Sequence, residues 1–295
     1  MLKDPTKVGK IWFDGKMVDA ADANVHFLAH SLQYAGTVFE GERSYGGQLF
    51  KLRKHTERLF SGADVLGFSI PFSMDVIDRA CQQVLKTNGL VDGYVRPAAW
   101  RGSDKVGLSP IGASVHVAIA AWDWPSYFSP GKKMEGIRLT HSHWRRPDPQ
   151  TAPTQAKASG LYQICTMSKQ IAEEQGFDDA LMLDYRGLVA EATGANIFFV
   201  INGKLHTPIA DCFLNGITRQ TVIDIAGLRN IEVIERKIMP DEIATADEAF
   251  LTGTAAEITP IGSIGDIYLK PGRVCQQFIS DYSELTSGRS ESLKV

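Results

Sequence analysis

The run Glu191-Ala192-Thr193-Gly194-Ala195-Asn196-Ile197-Phe198, then Leu205-His206-Thr207, then Leu214-Asn215-Gly216-Ile217-Thr218-Arg219 organises the chain around it. Residues 180–183 and 188–191 read as strands around a Tyr185-Arg186-Gly187 turn. Asn202-Gly203 joins strands at 197–201 and 204–207 as a second hairpin, because both turn residues tolerate the left-handed conformation that a tight hairpin needs. A glutamate beside a glycine turn can point into a cleft; the plainer alternative for Glu191 is a solvated hairpin carboxylate. Gly216 opens a helix predicted over 217–228, and exposed amides at a helix start suit an anion such as phosphate, although most helix starts meet only water.

Strand and helix signals mix on either side. Downstream, strands are predicted at 231–234, 248–251 and 258–264, with a last helix over 271–285. Upstream, 160–175 shows helical spacing ending at Gly176. The N-terminal part opens with hairpins: Asp14-Gly15 between 11–13 and 17–18, and Gly46-Gly47 between 37–45 and 49–52. A helix begins at Ser73 as N-cap, turns Ile77, Ala80, Cys81, Val84 and Leu85 to one face and stops at Gly89; strands follow at 94–100 and 114–122. Residues 123–136, with two prolines, serines and paired lysines, form the strongest composition break. The expected division is a small domain over 1–123, a linker over 124–136 and a large domain over 137–295.

Composition narrows the classes. The 295 residues suggest about two domains of common size. A hydrophobic share of 44% and a charged share of 22% describe a globular chain. With 31 basic and 34 acidic residues, the net charge of −3 gives no general attraction to nucleic acid or anionic lipid. Cys81, Cys165, Cys212 and Cys275 are widely spaced, suggesting neither a zinc knuckle nor a disulfide framework. No apolar run has signal-peptide or membrane-helix length, so a soluble, cytoplasmic protein is expected. The motifs of P-loop NTPases, Rossmann enzymes, nucleophile elbows and zincins are absent from the sequence. His141 with His143 on a strand face, or His26 with His30 on a helix face, lack the companion ligands a metal site requires, and none is expected.

Lys157 differs from the other lysines because Ala156, Ala158, Ser159 and Gly160 surround it with small groups that leave room for a bound ring. An amine among apolar groups loses its proton more readily than the roughly 10.4 of free lysine, and a neutral amine attacks a carbonyl to form a Schiff base. A solvated lysine at a helix entry is the alternative. The run Leu251-Thr252-Gly253-Thr254-Ala255-Ala256-Glu257 offers backbone amides that a ligand can approach closely.

In this order and spacing, these elements resemble the fold type IV pyridoxal phosphate (PLP) enzymes. Within that family the chain most resembles branched-chain amino acid aminotransferases, through Phe39-Glu40-Gly41-Glu42-Arg43, His55-Thr56-Glu57-Arg58-Leu59, Tyr94-Val95-Arg96-Pro97, Arg145-Arg146-Pro147, Lys157-Ala158-Ser159-Gly160, Tyr162 and Gly253-Thr254-Ala255-Ala256-Glu257-Ile258-Thr259-Pro260. The resemblance covers nearly the whole chain. It implies an α+β fold of two domains, a smaller N-terminal α/β lobe and a larger barrel-like C-terminal lobe, with the cofactor between them.

It further implies that Lys157 carries PLP and moves the Cα proton, that Glu191 pairs with the pyridine nitrogen, and that Tyr162 bonds the phenolate oxygen. Arg58, the amides of Ile217 and Thr218, and Thr254 would hold the phosphate, with Asn196, Leu214, Gly216 and Gly253 completing the cofactor set. Tyr94, Thr254, Ala255 and Ala256 would meet the α-carboxylate, and Arg96 the second carboxylate of glutamate or 2-oxoglutarate. Phe39, Tyr34 and Tyr127, with Gly41 and Arg43, would line the side-chain pocket. The implied reaction moves amino groups between leucine, isoleucine or valine and 2-oxoglutarate in a homodimer or larger homo-oligomer, with no nucleic acid or membrane partner. A D-amino acid or (R)-amine transaminase, or an aminodeoxychorismate lyase, is the alternative on the same fold. Residues 101–113 follow the family only in part, and Trp100, Arg101 and Lys105 are expected to add bulk and charge where substrate preference is set.

Overall fold

The computed structural model describes residues 9–124 and 135–288. These divide into two units, 9–124 with 156–162, and 135–155 with 163–288. Most of the expected linker, with Tyr127, lies outside the described residues. Residues 156–162, expected in the C-terminal domain, group with the first unit, because Phe39 N donates to Lys157 O at 3.1 Å and Val38 bridges Ala158.

The first unit opens with the hairpin β1 (Lys10–Phe13) and β2 (Lys16–Asp19), turned by Asp14 and Gly15 at positive φ. A short helix α1 (His30–Tyr34) precedes the 37–45 run, which is two strands rather than one, β3 (Thr37–Phe39) and β4 (Glu42–Tyr45). The break has a cause: Glu40 N donates to Pro97 O at 2.8 Å, and proline has no N–H to return. After β5 (Gln48–Leu49), Leu52 opens helix α2 (Leu52–Val65) instead of ending a strand. Lys51 enters that helix in the left-handed conformation and supplies no cap, so the usual start signal is missing. Helix α3 (Met74–Thr87) runs as the sequence predicts, with Val76 N donating to Ser73 Oγ. Strands β6 (Gly93–Arg101) and β7 (Val115–Asp123) complete a seven-stranded sheet in the order β2-β1-β7-β6-β4-β5, with β3 also on β6. Its core includes Ile77, Cys81, Val84, Val95, Val117 and Ile119, all fully buried.

The second unit begins with β8 (Ile137–His141). His141 ends this strand and His143 lies past it, so the two imidazoles do not share a strand face; His26 likewise sits in the turn ahead of α1, where it accepts from Leu28 N. Residues 159–162 form a 3-10 turn rather than the first turn of the following helix, α4 (Gln163–Glu174). Strands β9 (Asp179–Leu183), β10 (Val189–Ala192), β11 (Asn196–Ile201) and β12 (Lys204–Pro208) follow, the last two joined by Asn202 and Gly203 at φ 52° and 74°. Then come α5 (Ile217–Leu228), β13 (Val233–Arg236), β14 (Glu248–Gly253), β15 (Glu257–Ile264), β16 (Ile267–Tyr268) and α6 (Arg273–Thr286). Within the nine-stranded sheet, β8-β9-β10-β11-β14-β15 close on themselves, because β10 pairs with β11 and β15 pairs with β8. Closure removes the exposed edges of these strands. No described helix is long and apolar enough to cross a membrane.

Phe198 on β11, Phe250 on β14 and Phe278 on α6 stack at 5.3 and 5.9 Å between ring centroids, all fully buried. Phe198→Ala is expected to destabilise the protein by about 3–5 kcal/mol, through lost burial and a cavity in that stack. Urea unfolding checks this: the midpoint should fall while the slope stays, and an unchanged midpoint would show that the stack does not hold α6 to the sheet.

Candidate active site

The site residues expected from sequence fall into two groups, one in each unit. In the first, the segment 156–162 places Lys157 between buried Ala156 and Ala158. Its Nζ donates to Tyr162 Oη at 2.6 Å and stands 4.9 Å from the ring centroids of both Phe39 and Tyr162. Phe39 meets Tyr162 edge-on at 4.8 Å. The Arg96 guanidinium lies 4.9 Å over Phe39 and 5.4 Å over Tyr94, and Arg96 Nε is buried without a hydrogen-bond partner among the described residues. So is Nε1 of Trp122, whose ring lies 6.0 Å from the same guanidinium. A Cβ at Gly41 would stand 1.8 Å from Tyr94 Oη, so any larger residue there must displace that ring. Arg43 is buried opposite Tyr94 in the β4–β6 ladder. Tyr34, at the exposed end of α1, packs its ring on His30.

Arg58 reaches this unit's interior from α2. Its Nε and Nη2 donate to the two oxygens of Glu40 at 2.6 and 2.8 Å, and His55 Nδ1 lies 2.8 Å from Glu40 Oε2. In the sequence Glu40 and His55 belong to family-like runs but carry no assigned role. Burial alone would raise the Glu40 carboxyl, but the charge and hydrogen bonds of Arg58, and then of His55, outweigh it and hold the group well below the usual carboxylate range.

Trp100 and Arg101 make their contacts within the first unit. Trp100 is buried against Phe13 and His116, and Arg101 donates to the carbonyls of Leu66 and Gly67 while lying over Phe68. Both are spent on the interior of the first unit.

In the second unit, Asn196 organises the group. Its Nδ2 donates to Glu191 Oε2 and to Leu214 O, both at 3.0 Å, and its Oδ1 accepts from Gly216 N at 3.1 Å. A Cβ at Gly216 would stand 2.3 Å from that Oδ1. Gly216 is the N-cap of α5 and brings no side chain to the first-turn amides, which include those of buried Ile217 and Thr218. Buried Arg219 ties the turn down, donating to Asn215 Oδ1, Pro208 O and Glu235 Oε2. Gly253 pairs with Glu257 at the end of the β14–β15 hairpin, leaving Thr254, Ala255 and Ala256 as its half-buried turn. Arg146, to which the family resemblance gives no role, brings Nε to 3.3 Å from Glu191 Oε1 and donates from Nη1 to Cys165 Sγ at 3.1 Å. Burial pushes the Cys165 thiol up to about 11, so it stays neutral beside that pair.

The first unit thus offers an amine on a phenol and a clamped arginine, and the second a buried carboxylate and a helix start without a side-chain cap. A profile described as "Amino-transferase class IV" matches residues 37–264. The chain is 40% identical to the branched-chain-amino-acid aminotransferase of Pseudomonas aeruginosa, over 96% of this chain and 95% of that one. Among solved structures it is similar to the branched-chain aminotransferase of Thermoproteus uzoniensis with norvaline (TM-score 0.92, 39% identity, 97% of each chain covered). It is also similar to the T.th. branched-chain amino acid aminotransferase complexed with N-(5′-phosphopyridoxyl)-L-glutamate (TM-score 0.92, 35% identity, 97% and 96% covered). The chain belongs to the class IV aminotransferases and has the fold type IV architecture.

Two residues beyond Glu40, Glu42 meets the opposite fate. It is fully buried, its Oε2 has no hydrogen-bond partner among the described residues, and Cys81 Sγ lies 3.8 Å from Oε1. Burial, and then the nearby Glu40 charge, hold its carboxyl well above the usual range. The folded chain therefore keeps a proton that the unfolded chain releases above ordinary carboxylate pH. Stability on this account is fullest below that pH and is lost as pH rises toward the folded value. Glu42→Gln should remove the decline: the difference in melting temperature between variant and parent should grow from pH 5 to pH 8, and a constant difference would show that Glu42 does not titrate this way.

Proposed function

We propose that this chain is a PLP-dependent branched-chain amino acid aminotransferase that moves amino groups between leucine, isoleucine or valine and 2-oxoglutarate. The observation that carries the reading is the Lys157 amine held on Tyr162 Oη beside the Phe39 ring. The residues fit the cofactor on a second count: the Gly216 turn leaves the α5 start without a side-chain cap and leaves no room for a Cβ against Asn196.

Bound there, the cofactor supplies the electron sink for charge developing at the substrate Cα. Lys157 anchors it through the side-chain amine and takes and returns the Cα proton. Tyr162 keeps that amine in place and bonds the phenolate oxygen. Glu191, oriented by Asn196 and Arg146, holds the pyridine nitrogen in its protonated form, since an anion favours the adjacent cation. Arg58, the first-turn amides of Ile217 and Thr218, and Thr254 hold the phosphate. Tyr94 and the Thr254-Ala255-Ala256 turn receive the substrate α-carboxylate.

Arg96 serves the second carboxylate. A buried donor without a partner is costly, about 1–3 kcal/mol, and the Nε of Arg96 and Nε1 of Trp122 are two such donors beside one aromatic cluster. An anionic side chain would satisfy them, whereas an aliphatic one would rest on Phe39, with Tyr34 and Tyr127 as further lining. The homodimer in this proposal is supported by exposed apolar residues on two joined segments: Phe27 (74%) and Leu32 (61%) on one, Val106 (81%), Leu108 (77%) and Ile111 (83%) on the other. His30 Nε2 lies 3.1 Å from Leu108 O and links them. Several large apolar side chains left exposed on linked segments suit an association site.

Borohydride reduction of the purified protein should leave a phosphopyridoxyl group on the peptide containing Lys157, and Lys157→Ala should take up no such group and be inactive; an unmodified peptide from the parent would overturn the reading. Arg96→Gln should raise the KM for 2-oxoglutarate by about 10–100-fold, the value of a charge-assisted hydrogen bond, with the KM for leucine nearly unchanged. Equal rises for both substrates would remove Arg96 from this role.

A further inference from the structure

We propose that Glu40, braced by His55, is a positioning residue that sets how tightly Arg58 holds the cofactor phosphate. The inference rests on the cofactor reading above and concerns residues to which that reading gives no role. Glu40 is fully buried in the ladder break opposite Pro97, between Phe39 and Gly41. Its Oε1 accepts from Arg58 Nε, and its Oε2 accepts from Arg58 Nη2 and from Gly41 N at 3.3 Å, with His55 Nδ1 beside it. His55 is itself buried.

The arginine side chain keeps 19% exposure while its carboxylate partner keeps none. A guanidinium is planar with five N–H groups. Clamping its Nε/Nη2 edge uses two of them and fixes the directions of the other three, so Arg58 offers a phosphate a fixed fork rather than a mobile cation. A simple counter-ion role makes a different prediction. The Glu40 charge by itself repels a phosphate, so its value to phosphate binding lies in geometry.

Aspartate separates the two roles. Glu40→Asp keeps the charge but withdraws the carboxylate by one methylene, so that it cannot span both nitrogens. His55→Phe leaves the carboxylate in reach and removes its brace.

The experiment takes parent, Glu40→Asp and His55→Phe holoenzymes, releases the cofactor by dialysis against graded inorganic phosphate, and reads the visible absorbance. The stripped proteins are then titrated with PLP and with pyridoxal, which lacks the phosphate. For Glu40→Asp the PLP dissociation constant should rise about tenfold, the worth of one lost charge-assisted bond, and release should need correspondingly less inorganic phosphate. Pyridoxal affinity should stay within about twofold, and His55→Phe should shift the PLP-to-pyridoxal ratio in the same direction by a smaller factor. A merely structural residue would weaken both ligands together. Equal loss for PLP and pyridoxal, or no change in either, overturns the proposal; if Glu40→Asp does not fold, the ratio in His55→Phe decides it. A parent protein that takes up no PLP sinks the cofactor reading instead, which is a distinct result.

Discussion

The carboxamide of Asn196 is the constraint on which the second unit's chemistry depends. One donor group serves Glu191 and the Leu214 carbonyl, and its oxygen receives Gly216 N, so a single side chain sets both the orientation of a buried carboxylate and the shape of a helix start. The demand runs back into the sequence. Asn196 is the first residue of β11 and pairs directly with Glu191 of β10, which places the amide beside the carboxylate by strand register alone. Glycine at 216 then follows from the space the amide occupies. Aspartate in place of asparagine would put two like charges together and lose the donor, so the residue type is fixed by hydrogen-bond polarity as well as by size.

The first unit meets a similar demand by different means. Arg58 sits on α2 and its carboxylate partner in the break between β3 and β4, so no strand register aligns them; the buried carboxylate reaches in from the broken ladder instead. Glu40 is charged because Arg58 and His55 bond to it directly, while Glu42 is held neutral because its burial and the Glu40 charge outweigh the weaker pull of Arg58, which makes no bond to it. Two identical side chains in one short run thus take opposite protonation states, decided by neighbours that the chain delivers from α2.

Local signals were therefore legible and long-range ones were not. Asn202-Gly203, Ser73 with Gly89, and the 217–228 helix could be read directly, since turn chemistry and caps act over a few residues. Helix α2 was half hidden because Lys51 leaves it uncapped, and the break at Glu40-Gly41 depends on Pro97 across the sheet. Closure of the barrel-like sheet needs the parallel pairings of β8 with β9 and β15, which no short pattern encodes. Lys157, Tyr162, Glu191 and Asn196 could be singled out because their spacing matches a family. Glu40, His55 and Arg146 could not be given roles, because what they do is set by partners that only the fold brings near.

Arg101 shows the same limit from another side. A charged residue in a divergent loop looks like a specificity element, yet its guanidinium donates to two carbonyls at the end of α2 and lies over Phe68. One of these, Leu66 O, is the C-cap carbonyl of α2, a group that any helix must satisfy somewhere. Arg96 on the same strand does the reverse: aromatic rings hold its guanidinium while its Nε keeps no partner among the described residues. Along one strand, then, two guanidiniums have different surroundings: that of Arg101 reaches backbone oxygens and ties β6 to the segment after α2, while that of Arg96 is packed among rings with one N–H unmet among the described residues, a difference that neither position nor charge reveals in the sequence.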